Sequence, residues 1–269
     1  MKTFRMIGMA LLAFLLSVNW VSCSGGDEPD SNEDSPIEKE KKLLRVLMET
    51  EYMAHDTRMI YNDEGRLMTT LVMYGTLSQT SNWFWTENNV SNNQSAGVDF
   101  SLENGLIKKF RDYGDLVYNA SNQFVKINEA CCYGKRDLTW KDGAVIKQII
   151  DYSHVSSSEM NYSYKKTCKG YFPLFFLISL KYDFDDYAHG LMMSWEDDEN
   201  ALLYAHPELV GLRINQLPDE VIMQGSAYHD CKYSFAYSFT SDGYVEKCTV
   251  GITTSTGNPN SMAFTFEWE

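Results

Sequence analysis

The chain has 269 residues, 44% hydrophobic and 14% aromatic, which is ample material for a large core. Its formal net charge of −14 repels phosphate backbones and anionic headgroups, so nucleic acid is excluded as a natural partner. Six cysteines, one of them in the leader region, include no Cys-x-x-Cys, which rules out zinc-ribbon and thioredoxin-type motifs.

The chain opens with Lys2 and Arg5, an apolar run from Met6 to Leu16, and then Val21-Ser22-Cys23 before Ser24-Gly25-Gly26. A charged start, a short apolar stretch and a small-residue boundary make a secretory signal. The run falls short of the ~18 to 20 residues that cross a bilayer as a helix. A cysteine at this boundary resembles a bacterial lipoprotein signal with its lipobox, in which Cys23 becomes the acylated first residue of the mature chain. Trp20 is unusual for a lipobox, and the competing reading is a plain cleaved signal. Several acyl chains on Cys23 would suffice for stable anchoring. Residues 1–22 are therefore read as signal peptide, 23–40 as lipidated cysteine and acidic tether, and 41–269 as a single antiparallel β domain. The tether carries Asp27, Glu28, Asp30, Glu33 and Asp34 with two prolines, and it buries too little apolar area to fold. Acids just after the cysteine also resemble the export signal of Bacteroidetes surface lipoproteins. The expected location is the bacterial outer membrane, lipid-anchored and surface-exposed; the alternative is a solvated linker without an address.

Residues 38–48 have helical composition, but the hairpin at 61–69 needs partners, so a strand is expected from about Leu44. From there on, strands and turns dominate. A turn recurs at Glu64-Gly65, Asn104-Gly105, Asp142-Gly143 and Asp242-Gly243. Such pairs supply the positive φ angles of tight hairpins. Two residues after each glycine stands an aliphatic, namely Leu67, Ile107, Val145 and Val245. Lysine follows at the fourth place in three of them: Lys109, Lys147 and Lys247. Strand alternation predicts that the aliphatic and the lysine share a face, core giving way to edge. The segments Phe124–Ile127, Val145–Tyr152, Tyr233–Phe239 and Ala263–Trp268 read as half-buried strands. Tyr171 to Leu180 is a continuous apolar run, a buried strand or a short helix. Trp195 to Tyr204, acidic first and apolar later, reads as a short helix that His206-Pro207 ends. The fold class is all-β: a large antiparallel meander sheet with one or two short helices, which the family resemblance below makes strongly curved or barrel-like.

The Asn-Asp-Glu-Gly-Arg-Leu turn, the Gly211-to-Pro218 segment, the Asp-Gly-Tyr-Val turn and the final Phe-Thr-Phe-Glu-Trp strand resemble a family of unknown function described as porin-like in fold. Its members are lipoproteins of gut Bacteroidetes. The resemblance spans most of residues 44–269 and implies an antiparallel sheet curled or closed like a barrel. It brings no catalytic residues.

Chemistry is sparse. The five histidines show no zinc-protease spacing, and no cofactor or metal site is expected. His229, Asp230 and Cys231 are adjacent, but strand neighbours point to opposite faces, so no enzymatic role is assigned. Asp183–Asp186 with Glu196–Glu199 could hold calcium, yet their spacing departs from an EF-hand, and a solvated loop is the better reading. Cys231 and Cys248 flank an expected hairpin and could pair if their strands align in register; free buried thiols are the alternative. Trp83 and Trp85 share one strand face, so if that face is exposed they form a stacking platform for a sugar; otherwise they belong to the core. The chain is read as a non-catalytic binding module of the envelope. It would be held to the membrane by its anchor, with a glycan or an envelope protein as ligand. A docking subunit that uses an exposed sheet edge is the alternative.

Overall fold

Runs of Tyr, Phe, Thr, Val and Ile between Asn/Asp-Gly turns build hairpins, and in this protein each hairpin pairs with the next. The computed structural model describes residues 40–51, 53–94, 99–109, 115–127, 135–151, 157–175, 197–225, 230–255 and 259–269. The first strands are β1 (Leu43–Glu49), β2 (Ala54–Tyr61), β3 (Leu67–Tyr74), β4 (Leu77–Trp85), β5 (Asn89–Asn92), β6 (Asp99–Glu103), β7 (Leu106–Ile107) and β8 (Leu116–Tyr118). They continue with β9 (Phe124–Ile127), β10 (Lys135–Lys141), β11 (Ala144–Asp151), β12 (Ser157–Thr167), β13 (Gln216–Gln224), β14 (Cys231–Phe239), β15 (Val245–Thr254) and β16 (Pro259–Trp268). Between β12 and β13 lie the helix α1 (Asp197–Ala205) and a 3-10 turn over Pro207–Val210.

Every strand pairs antiparallel with its sequence neighbour except β7 with β8, in one 16-stranded meander, and β1 pairs with β16. The remaining seam lies between β7 and β8, in mid-chain. It carries the isolated bridge Lys109↔Asp115 and the Leu116 N–H bond to Lys108 O, 3.0 Å. The meander is thus nearly closed into a barrel, as the sequence leads one to expect. The strand expected from about Leu44 is β1, and the expected short helix is α1, which stops at Ala205 before Pro207.

The Asn/Asp-Gly turns gather at one end of the barrel, the tight-turn end, whereas the two-residue turn at Gly75-Thr76 lies at the other. At Asn104-Gly105 and Asp142-Gly143 both central residues have positive φ, as a two-residue hairpin of the I′ type demands. Turns at 62–66, 119–123 and 240–244 are longer, and each begins with a residue whose side-chain oxygen caps the turn: Asn62, Asn119 and Thr240. The sequence pattern misplaces one feature here. Val145 and Val245 point inward while Lys147 and Lys247 point outward, so the aliphatic and the lysine do not share a face. A β-bulge at the start of β11 and β15 shifts the register between them and inverts the alternation.

A second repeat accompanies the first. Near the ends of seven even-numbered strands an inward aromatic donates to the carbonyl of a residue at the start of the preceding strand. The pairs are Tyr61 to Leu43, Trp85 to Leu67, Tyr118 to Ile107, Trp140 to Phe124, Tyr164 to Val145, Tyr237 to Pro218 and Trp268 to Val245. All seven bonds are 2.6–2.7 Å long. The four aliphatics of the turn repeat are all acceptors. The Tyr118 clasp crosses the β7–β8 seam, so the seam is held at the rim like any other hairpin.

The same end is stoppered by the connection from β12 to β13. Tyr171 meets Trp268, Phe172 meets Tyr237, and Phe175 stacks on Tyr162, so this stretch reaches the inner faces of β16, β14 and β12. Helix α1 packs on β2 and β3, and its residues Ala201–Ala205 are buried. Of the apolar run expected at Tyr171–Leu180, the residues to Phe175 are buried and the rest lie outside the described residues. Gly211 (φ 62°) caps the 3-10 turn against the β8–β9 turn, where a Cβ would overlap Asn122 O and lie 2.9 Å from Phe124 N. The barrel half away from the tight turns holds buried polar side chains, among them His55, Thr57, Gln148 and Ser158.

Candidate functional site

The inward and outward faces of the wall have opposite chemistry. Inward positions form one apolar core running through the strands and the stopper. Outward positions carry ion pairs between adjacent strands: Arg45 with Asp56 and Glu267 (both 2.6 Å), Lys147 with Glu159 (2.5 Å), Lys126 with Asp137 (3.4 Å), Lys165 with Asp219, and Lys232 with Glu220. Arg45 holds Asp56 below the usual carboxylate range: burial would push that carboxyl up, but hydrogen bonds from Arg45 and Arg58 outweigh it. A membrane-spanning barrel needs the reverse, an apolar outer band, and a lysine or arginine facing lipid at mid-depth costs about 2–4 kcal/mol. The strands that carry these pairs lack such a band.

A cleft of about 170 Å³ opens at the tight-turn end, lined by Glu40, Lys42, Tyr61, Tyr171, His206, Glu208 and Arg213, among others. Its floor is set by the stopper. The 3-10 turn places Glu208 two residues from His206, and Gly211 then turns the chain so that Arg213 comes back beside them. The backbone N–H of Leu67 donates to His206 Nε2 (3.3 Å), which makes that nitrogen the acceptor. In the neutral ring the proton is then on Nδ1, which donates to Glu208 Oε1 (2.8 Å). The ring lies edge-on to Trp85 at 5.1 Å. Arg213 donates to Glu208 Oε2 (3.2 Å), pairs with Glu40 and lies 4.7 Å from the centre of the Tyr171 ring. Burial would raise the Glu208 carboxyl, but the His206 bond and the Arg213 charge bring it below its ordinary value. Burial likewise pushes the Tyr61 and Tyr171 phenols well up.

His206 has both ring nitrogens engaged, so it has no free lone pair for a general base. Lys42 is the cation left over: its Nζ reaches Asn62 O at 3.3 Å and sits 5.5 Å from the Tyr61 ring centre, with no carboxylate partner among the described residues. Lys41 is neutralised by Asp242 at 2.7 Å. No group of metal-ligating side chains occurs among the described residues.

The residues singled out from the sequence fare differently. Cys23, His229 and Asp183–Asp186 lie outside the described residues. Trp83 and Trp85 do share a face, but it is the inner one. Trp83 is 1% exposed and its Nε1 donates to Thr70 Oγ1 (3.3 Å), while Trp85 is half-buried as a clasp. The stacking platform is therefore corrected: both rings belong to the core, because the barrel curls that face inward. Cys231 and Cys248 are both buried and are not bonded to each other. Cys231 faces Thr254 and Cys248 faces Tyr237, six residues out of register, so the disulfide is corrected too. Burial pushes the Cys168 thiol up to about 12 and the Cys248 thiol higher, so neither is a ready nucleophile. The cleft residues themselves escaped sequence reading. His206-Pro207 registers as a helix stop, and only the return of the chain at Gly211 reveals that His206, Glu208 and Arg213 converge.

The fold and its cleft define an up-and-down antiparallel barrel with one end stoppered. Two crystal structures are similar to this chain in overall fold. One is a porin-like protein from Bacteroides uniformis ATCC 8492, with a TM-score of 0.54 and 12% identity over 85% of this chain and 96% of that one. The other is a porin-like protein from Bacteroides vulgatus ATCC 8482, with a TM-score of 0.52 and 11% identity over 86% and 99%. At such identities the likeness concerns the fold. No family model and no curated protein sequence matches the chain.

Proposed function

We propose that this protein is a lipid-anchored, non-catalytic binding module of the bacterial envelope, standing in water beside the outer membrane on an acidic tether. The carrying observation is the polarity of the wall. Ion pairs stud most of the outside and apolar side chains fill much of the inside, which speaks against strands that span lipid and for a separate anchor. Acylated Cys23 supplies one. The ligand is a glycan terminus or a side chain of another envelope protein, received in the tight-turn cleft, where Lys42 offers a cation beside the half-buried Tyr61 ring. Docking through a bare sheet edge is the weaker reading, because β7 and β8 are two and three residues long and are clasped to each other.

Fractionation tests the anchor. The full chain should partition with membranes and enter the detergent phase, while Cys23→Ala should become soluble with an unchanged melting temperature. A Cys23→Ala protein that stayed with the membrane would overturn the reading. Cross-linking on intact cells with mass spectrometry tests the ligand: adducts on the cleft segments 40–42 and 206–213 are expected. Recovery of self-adducts alone would sink the binding role.

A further inference from the structure

One sector of the outer wall breaks the pattern of ion pairs. From Leu67 to Thr86 the sequence has no Asp, Glu, Lys or Arg, although charged residues make up 22% of the chain. These residues form β3 and β4, and β5 beside them is also uncharged. Exposed apolar side chains lie along this sector and at its border: Leu77 (68% exposed) at the far end of β4, and at the tight-turn end a group of three, of which Ile60 comes from β2, two residues from Arg58 on the same face. Ile60 is 60% exposed, Phe84 55% and Met68 41%. Ile60 faces Thr69, Thr69 faces Asn82, and Phe84 stands two residues further along β4; Met68 is turned outward by the bulge opposite Ile60 and Tyr61. Single exposed apolar residues are ordinary, but a contiguous group in a charge-free sector is a docking surface.

We propose that this sector is the face on which the barrel rests against the lipid surface, with Phe84, Ile60 and Met68 dipping into the headgroup region. The proposal rests on the anchored reading above. Two observations favour lipid as the occupant. The chain reaches β1 at the tight-turn end, and the sixteen residues between Cys23 and Glu40 can extend to about 60 Å at most. Any surface that receives Cys23 is therefore within reach of that end. Second, the protein is strongly acidic, and a bacterial surface is commonly anionic. The uncharged sector can approach such a surface without bringing carboxylates to it. β4 and β12 stand eight strands apart in the ring of sixteen, on opposite sides. The wall beside β12 also has outward apolar residues, Ile149 at 40% and Ile222 at 37% exposed, but they sit among Lys147, Glu159, Lys165 and Asp219. They make an internal control of the same residue type.

The test is carbene footprinting read by mass spectrometry. The mature chain from Ser24 is held by an N-terminal histidine tag on phosphatidylcholine vesicles that contain a nickel-chelating lipid. Its presence at the membrane is then independent of acylation, and failure of the anchor would show separately in the Cys23→Ala fractionation. Labelling at Ile60, Met68 and Phe84 should fall about threefold or more relative to free protein, with Ile149 and Ile222 unchanged. In an Ile60→Ser/Phe84→Ser variant Met68 should stay as labelled as in solution. Equal labelling of the two walls on vesicles would overturn the proposal. Protection of Met68 that grows with protein concentration in the absence of vesicles would overturn it in favour of contact between copies.

Discussion

An indole ring has one N–H and no acceptor, so burying it obliges the fold to supply a carbonyl. The rim of this barrel does so for Trp85, Trp140 and Trp268, and it does the same for the phenols of Tyr61, Tyr118, Tyr164 and Tyr237. Each bond also gives a donor to a carbonyl beside a turn or bulge, where the ladder is irregular. Trp140→Phe keeps most of the ring and deletes the N–H, leaving Phe124 O without that donor. It should cost about 1–3 kcal/mol by urea titration, the range for an unsatisfied buried group. A loss within error of zero would mean that the clasp is incidental. At this scale the sequence was half legible. The aliphatic acceptors show themselves two places after each glycine, but their donors sit 11 to 23 residues later, on the following strand. Trp83 and Trp85 mark the limit of period-two reasoning: it says which residues share a face and not which way the sheet curls.

Turns were legible as elements because glycine and its acidic or amide partner have few other reasons to recur together. The bulges after them were not, since a bulge adds one residue without a characteristic side chain. That single residue inverts the alternation and sends Lys147 and Lys247 outward. The stopper was legible only as an apolar run and a helix. Its seat depends on Gly211, which combines a left-handed φ with contact against the β8–β9 turn. Gly75 is left-handed too, but a Cβ there would meet nothing. Gly75→Ala should therefore cost only the left-handed penalty of about 1–2 kcal/mol. Gly211→Ala should cost that plus displacement of the 3-10 turn, several kcal/mol in all. It should also loosen the cleft, since Glu208 and Arg213 flank the glycine. Chemical denaturation of the two variants side by side makes the comparison, and equal losses would show that the stopper is not seated through Gly211.

On the scale of the whole molecule, the order of strands follows from nearest-neighbour hairpins, whereas closure is a global property. No local pattern in the sequence says that β1 and β16 meet or that the seam falls at β7–β8. Closure gathers the aromatic clasps into a buried ring, and that ring has a consequence for pH. Burial raises the phenol pKa of Tyr61, Tyr118, Tyr164, Tyr171 and Tyr237 above its ordinary value. In the unfolded chain each phenol ionises near 10. Above that pH the unfolded state holds fewer protons than the folded state, so stability falls as pH rises. Each tyrosine that stays protonated in the fold contributes a loss of about 1.4 kcal/mol per pH unit. Acting together, such residues would exhaust a typical stability of about 5–15 kcal/mol within one to two units above 10. The urea midpoint should therefore be flat between about pH 7 and 9 and collapse near pH 11–12, with phenolate absorbance from the rim tyrosines rising only as the β signal disappears. A Tyr164→Phe/Tyr237→Phe variant should start lower, lacking two clasps, yet lose stability less steeply with pH. Phenolate appearing near pH 10 from every tyrosine of an intact barrel would show that water reaches the rim and that the clasps do not seal it.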